Sequence, residues 1–535
     1  MKRALAMEYI SHPLIVENTV EARVYQQVVY AKAVESNTLF VAPTALGKTV
    51  LCIMVAAHRL HTVGGRVMML APTRPLVLQH AESFRKFMKL PEDEIADVSG
   101  RVRPREREEI WPSVRIAVTT PQVVENDLRS GRIDLSPYSL MVFDEAHRAV
   151  GNYAYVPIAE AYAESDGDHL VLGLTASPGN REEVIREVCA NLNISNIEVR
   201  TDEDPDVKRY INPVEIDWEM VSLPEAIRNV SRRIKAYLEE RFDNLRRMGL
   251  IDSERPTKRD LLDAGKILRI GEKGFAASFG KPEYLYYKSL MDYATGLKAE
   301  HALELLQTQG VEQTLQYMDN LSKEAKLKKT SRSTKSFVHN NLVQNFLSSL
   351  HRLKELDVEH PKVAKTERAV RHELDHDPES RIIVFTNYRN TVDLLVDRLS
   401  ALDRARVTRF VGQSSRRSKG LSQKEQGEIL DLFRKGHYNV LVATSVAEEG
   451  LDIPEVQMVL FYDCTPSAIR NIQRRGRTGR KGAGRVIVLI TQDTREEAYH
   501  WAGQARERKM KRVLKKVEYK LSDKQLSLDG FVDTS

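Results

Sequence analysis

Positions 41–50 read VAPTALGKTV, and the meaning of that run decides how the rest of the chain is organised. It closes the apolar stretch TLFVAP (38–43) and leads into VLCIMVAAHRL (50–60), which reads as a helix. Strand, short loop and helix, in that order, aim backbone N–H groups and a helix N-terminus at one anion. A phosphate loop is usually glycine, four residues, then Gly-Lys-Ser/Thr. Here Gly47 is present, while Ala42 stands where the first glycine is sought. In such a loop Lys48 reaches the β- and γ-phosphates and the Thr49 hydroxyl holds Mg²⁺. A chance Gly-Lys-Thr remains the alternative until partner motifs are found.

The first partner is LMVFDEAH at 140–147. Four apolar residues form a buried strand that delivers Asp144 and Glu145 at its end. Adjacent carboxylates can divide the work of hydrolysis, with Asp144 holding Mg²⁺ and Glu145 polarising the attacking water. The second is QRRGRTGR at 473–480, where Arg474, Arg475, Arg477 and Arg480 are spaced by Gly476 and Gly479. Glycines there allow another domain to approach closely. Arginines supplied across a cleft stabilise a transferring phosphoryl group, at ~10³–10⁵ in rate.

Outward from these motifs the pattern is α/β. RVMMLAP (66–72), RIAVTTP (115–121) and LVLGLTAS (170–177) join the two strands above as buried parallel strands ending in small or polar residues. The pattern resumes with RIIVFTN (381–387), RVTRFVG (406–412), YNVLVAT (438–444), QMVLFYD (457–463) and RVIVLIT (485–491). Between them strand-like runs vanish, and amphipathic stretches such as NVSRRIKAYLEERFDNLRRM (229–248) predict helices. The expected division is 1–207 for a first, nucleotide-binding α/β domain, 208–360 for a helical insertion expected to bind DNA, 361–500 for a second α/β domain, and 501–535 for a basic helix and tail.

Composition agrees with a multi-domain globular protein: 535 residues, 42% hydrophobic and 29% charged. No run approaches the ~18 apolar residues of a membrane span. Cys52, Cys189 and Cys464 lie far apart, which argues for a reducing compartment and against a zinc site. The net charge of +6 permits a nucleic-acid partner. Basic residues cluster in SKEAKLKKTSRSTKS (322–336) and ARERKMKRVLKK (505–516), each readable as a solvated face or a phosphate contact.

In these motifs the chain resembles the superfamily 2 DEAH-box helicases, and within them the archaeal Hef and FANCM/Mph1 branch of fork-remodelling DNA helicases, over the helicase portion without a nuclease domain. Nine segments carry the resemblance in order: Tyr25-Gln26, APTALGKT, APTRPLVLQ (71–79), TTPQ (119–122), DEAH, TAS (175–177), VFTNYRNT (384–391), ATSVAEEGLDIP (443–454) and QRRGRTGR. The family often has alanine where Ala42 stands, and departs from this chain at Ala45, where glycine is usual. The resemblance implies an α/β fold of two RecA-like parallel-sheet domains with an all-helical domain inserted between them.

It also implies roles. Gln26 reads adenine, and Thr44, Gly47, Lys48 and Thr49 form the ATP and Mg²⁺ site. Gly450 and Asp452 approach the nucleotide from the second domain, Gln473 senses the γ-phosphate, and Arg477 and Arg480 are its fingers. Thr175 and Ser177 couple hydrolysis to domain movement. Thr73, Arg74, Thr120, Thr386, Gly412 and Thr444 contact a DNA strand. The implied activity is ATP-dependent remodelling of forked DNA, moving 3′ to 5′, in the cytoplasm of an archaeal or other prokaryotic cell. Gln525, Leu528 and Phe531 have the spacing of a sliding-clamp-binding peptide. Two further readings stay open: a duplex-RNA-stimulated ATPase, and an ATP-gated nucleic-acid clamp that does not unwind.

Overall fold

The structure is a computed structural model that describes residues 8–43, 46–176, 181–201, 204–208, 210, 214–327, 329–412, 421–444, 456–465, 484–505, 508–509 and 512–513. The first domain is built on β1 (Thr38–Val41), β2 (Arg66–Leu70), β3 (Ile95–Val98), β4 (Ile116–Thr119), β5 (Tyr138–Asp144), β6 (Leu170–Thr175) and β7 (Asn196–Val199). They form one parallel sheet in the order β3-β4-β2-β5-β6-β1-β7. Strands β1, β4, β5 and β6 are buried at every position. That is why they read as continuous apolar runs rather than as alternating ones. Successive residues still point to opposite faces: Phe40, Val67 and Met69 enter one core, while Leu39, Met68 and Leu70 enter the other.

The second domain repeats the plan with β8 (Val214–Val221), β9 (Ile382–Thr386), β10 (Val407–Phe410), β11 (Val440–Thr444), β12 (Met458–Phe461) and β13 (Gly484–Thr491). Its order is β10-β11-β9-β12-β13-β8, again with parallel pairs throughout. All ten strands expected from the sequence are present. The additional ones are β3, β7 and β8.

Strand β8 corrects the expected boundary at 208. The chain enters the second sheet at Val214, pairing along β13, before the helical region begins at Glu225. Glu215, Asp217 and Glu219 alternate here with Ile216, Trp218 and Met220, so the segment lacks the all-apolar signature of its neighbours. Its partner lies some 270 positions downstream, and Asp217 pairs with Arg485 of β13 at 2.7 Å.

Between β8 and β9 the described chain is helical. Glu225–Arg247 and Glu283–Thr308 are its longest helices, and Ile227, Ile234, Leu261, Phe275, Leu306 and Phe346 share its apolar core. The stripe of Ile227, Val230, Ile234, Tyr237, Leu238, Phe242 and Leu245 is the amphipathic pattern seen in the sequence, turned inward. Within the C-terminal basic stretch, Val513 packs against the core of the first sheet, while most of its neighbours lie outside the described residues. No helix among the described residues is long and apolar enough to cross a membrane.

Candidate active site

In the first sheet β5, β6 and β1 are adjacent, so their C-terminal ends bring Asp144, Thr175 and Ala42 to one edge. Open parallel sheets bind ligands at this edge, because loops diverge there and helix N-termini point into the crevice. Gly47 precedes the 15-residue helix Lys48–Thr62 in the left-handed conformation, φ +66°, and no side chain caps that helix. Its first amides therefore face the loop. Lys48 Nζ donates to the Ala42 carbonyl at 2.8 Å, folded back over the loop. Thr49 occupies the first turn beside it.

Gln26 lies beneath this loop and is 1% exposed. Its amide nitrogen reaches the Leu46 and Gly47 carbonyls, each at 3.3 Å, and the Tyr25 hydroxyl donates to the Leu46 carbonyl at 2.9 Å. A Cβ on residue 47 would collide with Gln26 Nε2. Glycine is thus required twice, by its positive φ and by its neighbour. Gln26 Oε1 is buried with no hydrogen-bond partner among the described residues. A buried acceptor left open is costly, and it matches the exocyclic amine of adenine.

Asp144 ends β5 and is almost buried. His80, on the helix Arg74–Phe87, places Nε2 2.9 Å from Asp144 Oδ2. The Tyr155 hydroxyl donates to the Asp144 backbone carbonyl at 2.6 Å. Both ends of the residue are thereby fixed. Glu145 then turns sharply, at φ +50°, a region that non-glycine residues occupy rarely and at a cost of order 1–3 kcal/mol. His147 Nδ1 lies 3.2 Å from Glu145 Oε2 and 3.1 Å from Thr175 Oγ1. One imidazole so joins the end of β5 to the end of β6.

His80 and His147 were not singled out by sequence reading. His147 sits inside the DEAH motif and had a local signal. His80 had none, because it meets Asp144 across 64 positions.

Thr73 and Thr120 follow β2 and β4 on the same edge, at the starts of the helices Arg74–Phe87 and Pro121–Arg129. The Thr73 hydroxyl is buried and unpartnered among the described residues, and Arg74 is half-buried. In the second sheet Thr444 ends β11 with a buried hydroxyl that has no partner among the described residues, and the Gly412 carbonyl accepts from Arg389 at 3.2 Å.

Thr386 requires a correction. It is buried, and its hydroxyl donates to Asp463 Oδ2 at 2.8 Å, so its side chain is committed inside the fold rather than offered to a strand. Thr44, Ser177, Gly450, Asp452, Gln473, Arg477, Arg480, Gln525, Leu528 and Phe531 lie outside the described residues.

Asp463 belongs to a joint that sequence reading did not anticipate. Its Oδ2 also accepts from the Asn387 amide at 2.6 Å, and its Oδ1 accepts from Gln309 Nε2. Gln309 follows the long helix Glu283–Thr308, and its Oε1 accepts from Thr391 at 2.7 Å. Nearby, His360 Nε2 meets the Gln307 carbonyl at 3.0 Å, and Arg495 pairs with Glu300. Burial, with the Lys362 charge adding, pushes His360 down to about 3 and keeps the ring neutral. The helical domain is thus fastened to the second sheet by buried polar contacts.

A phosphate loop whose floor is a buried amide, with two carboxylates on the neighbouring strand and a second parallel sheet downstream, is the architecture of an ATP-dependent helicase with paired RecA-like domains. Residues 23–184 match the DEAD/DEAH box helicase family, and 364–482 match the helicase conserved C-terminal domain. Residues 226–357 match the helical bundle described for a provisionally named group of ATP-dependent RNA helicases. The chain belongs to the DEAD/DEAH box helicases, in the branch that includes Hef and FANCM. The crystal structure of the Pyrococcus furiosus Hef helicase domain is similar at a TM-score of 0.71 and 46% identity, over 90% of this chain and 98% of that one. A Methanocaldococcus jannaschii protein provisionally named an ATP-dependent RNA helicase is 39% identical over 96% of this chain and 63% of its own length. The Schizosaccharomyces pombe ATP-dependent DNA helicase fml1 is 32% identical over 91% of this chain and 59% of its own. The chain therefore spans about three fifths of these two relatives.

Proposed function

We propose that the protein is an ATP-driven DNA helicase or translocase that remodels forked and branched DNA, moving 3′ to 5′. The observation that carries this reading is the single edge at which the Lys48 loop, the Asp144–Glu145 pair and the strand-facing Thr73 and Thr120 all emerge. Chemistry at one end of this edge can thereby be felt at the other. The kinship with proteins named as DNA helicases supports DNA as the substrate.

The residues fit the nucleotide. Gln26 offers an open acceptor to adenine, and the uncapped helix at Lys48 offers amides to phosphate. Among the described residues no cluster of three or more His, Cys, Asp or Glu could cage a metal. Mg²⁺ would accordingly rest on Thr49, Asp144 and phosphate oxygens, the open arrangement usual for phosphoryl transfer. Bound there, it supplies charge neutralisation at the transferring group. Glu145 orients water and accepts its proton, from a strained turn at the end of β5. His147 relays the position of Glu145 to Thr175, and Lys48 leaves the Ala42 carbonyl for phosphate. Closure by Gln473, Arg477 and Arg480 completes the cycle, and a clamp contact through Gln525, Leu528 and Phe531 belongs to the same reading.

The test is ATPase rate with no nucleic acid, single-stranded DNA, duplex DNA, a model fork and duplex RNA, with Glu145→Gln as the inactive control. Strongest stimulation by the fork is expected. Strongest stimulation by duplex RNA would replace DNA by RNA as substrate, an arm included because one relative carries an RNA-helicase name. Binding with no stimulation by any of them would leave the clamp.

A further inference from the structure

The outer end of the helical domain carries rings that folding does not explain. Six large apolar side chains stand exposed between 262 and 290, among them Tyr284 at 69% and Tyr287 at 57%. The two tyrosines sit three residues apart on the helix Glu283–Thr308, so their rings share one face. They are not loose. Tyr287 meets Tyr286 in a T-shaped contact, with centroids 5.2 Å apart, and Tyr286 meets the fully buried Phe275 at 5.8 Å. The Tyr287 hydroxyl donates to Glu272 on the neighbouring helix Gly271–Phe279. A ring held by a neighbouring ring and by its hydroxyl loses little entropy when something stacks on it.

The surroundings are basic. Seven Lys and Arg face four Asp and Glu between 258 and 290, half the net charge of the whole chain. Three of those four carboxylates are already engaged, Asp260 by Thr257, Asp263 by Lys266 and Glu272 by Tyr287. Arg269, Lys273 and Lys288 are exposed and have no carboxylate partner among the described residues. Exposed rings beside free cations suit nucleic acid, whose bases stack on the ring and whose phosphates meet the charge. They suit it where base faces are open, since within a duplex each face is covered by its neighbour.

We infer that Tyr284 and Tyr287 form a stacking platform for unpaired bases at a single-strand/duplex junction, with Lys273, Lys288 and Arg269 holding the flanking phosphates. This rests on the reading of the protein as a DNA-acting motor and adds the part of the DNA that the helical domain grips. The long helix runs from the platform to the Gln309–Asp463 joint, about 36 Å at 1.5 Å per residue. Movement of the second sheet is thereby carried to the junction as motion of a rigid arm.

The experiment uses the full chain and a fork with 2-aminopurine at the first unpaired base, without ATP. Wild type and Tyr284→Phe/Tyr287→Phe should quench the probe. Tyr284→Ala/Tyr287→Ala should not, and should lose about tenfold or more in fork affinity with little change on blunt duplex. At most a small shift of the unfolding midpoint is expected for the alanine pair, since both rings are mostly exposed. Quenching and fork affinity equal to wild type in that pair would overturn the platform and leave the patch to a protein partner. The motor reading fails separately, if wild-type ATPase ignores DNA while the probe is still quenched.

Discussion

His80 Nε2 lies 2.9 Å from Asp144 Oδ2, joining the helix Arg74–Phe87, which follows β2, to the carboxylate that ends β5. Both residues are buried, and His80 reaches Asp144 from across 64 positions of chain. The contact engages Oδ2 of Asp144, and under the proposed function it sets how that carboxylate would meet Mg²⁺. His80→Ala should therefore raise the Mg²⁺ concentration needed for half-maximal ATPase about tenfold or more, the usual loss when a partner of a metal-binding carboxylate is removed. Mg²⁺-dependent binding of a fluorescent ATP analogue should shift in parallel. An unchanged Mg²⁺ requirement would assign His80 to packing alone.

Gln26 and Gly47 separate base recognition from loop shape. Gly47→Ala forces a Cβ into the left-handed region and against Gln26, so binding of ATP and GTP analogues should weaken together, by about tenfold, with ~1 kcal/mol lost in stability. Gln26→Ala removes the open acceptor and should weaken ATP far more than GTP. Competitive nucleotide titration of both variants distinguishes the two effects. Equal loss for both nucleotides in Gln26→Ala would show that Gln26 acts only through the loop.

At the joint, Asp463→Ala leaves the donors of Thr386, Asn387 and Gln309 without their acceptor. Buried donors without partners cost about 1–3 kcal/mol each, so urea unfolding should reveal a loss of about 3 kcal/mol or more. Hydrogen exchange should accelerate at Asn387 and around Gln309 together. Faster exchange at only one of them would argue against mechanical fastening of the helical domain.

His360 predicts an acid-sensitive fold. Folded, the ring stays neutral until about pH 3, whereas its ordinary value is 6.5. The unfolded chain therefore binds the extra proton first as pH falls below 6.5. Stability contributed by the neutral ring is full above that value and declines on acidification by up to about 1.4 kcal/mol per pH unit. Urea midpoints measured from pH 7 to 5 should fall less steeply in His360→Gln than in wild type. Identical slopes would place the sensitivity elsewhere.

Much of this was written locally. Ten strands, the phosphate loop and the Asp144–Glu145 pair were legible because each depends on near neighbours: apolar runs for buried strands, a glycine before Lys48, two acids at a strand end. Strand β8 was not, since acids at alternate positions conceal an edge strand whose partner, β13, lies far downstream. Nor was the true task of Thr386, which looked available until Asp463 was seen to hold it. Composition and spacing record what one segment prefers, and so determined the fold class and the chemistry at the loop. Which oxygen of Asp144 is occupied, which helix is fastened to which sheet, and which rings remain in water were decided only by tertiary structure. Those are relations between surfaces that meet after folding, and the pattern along any one segment does not contain them.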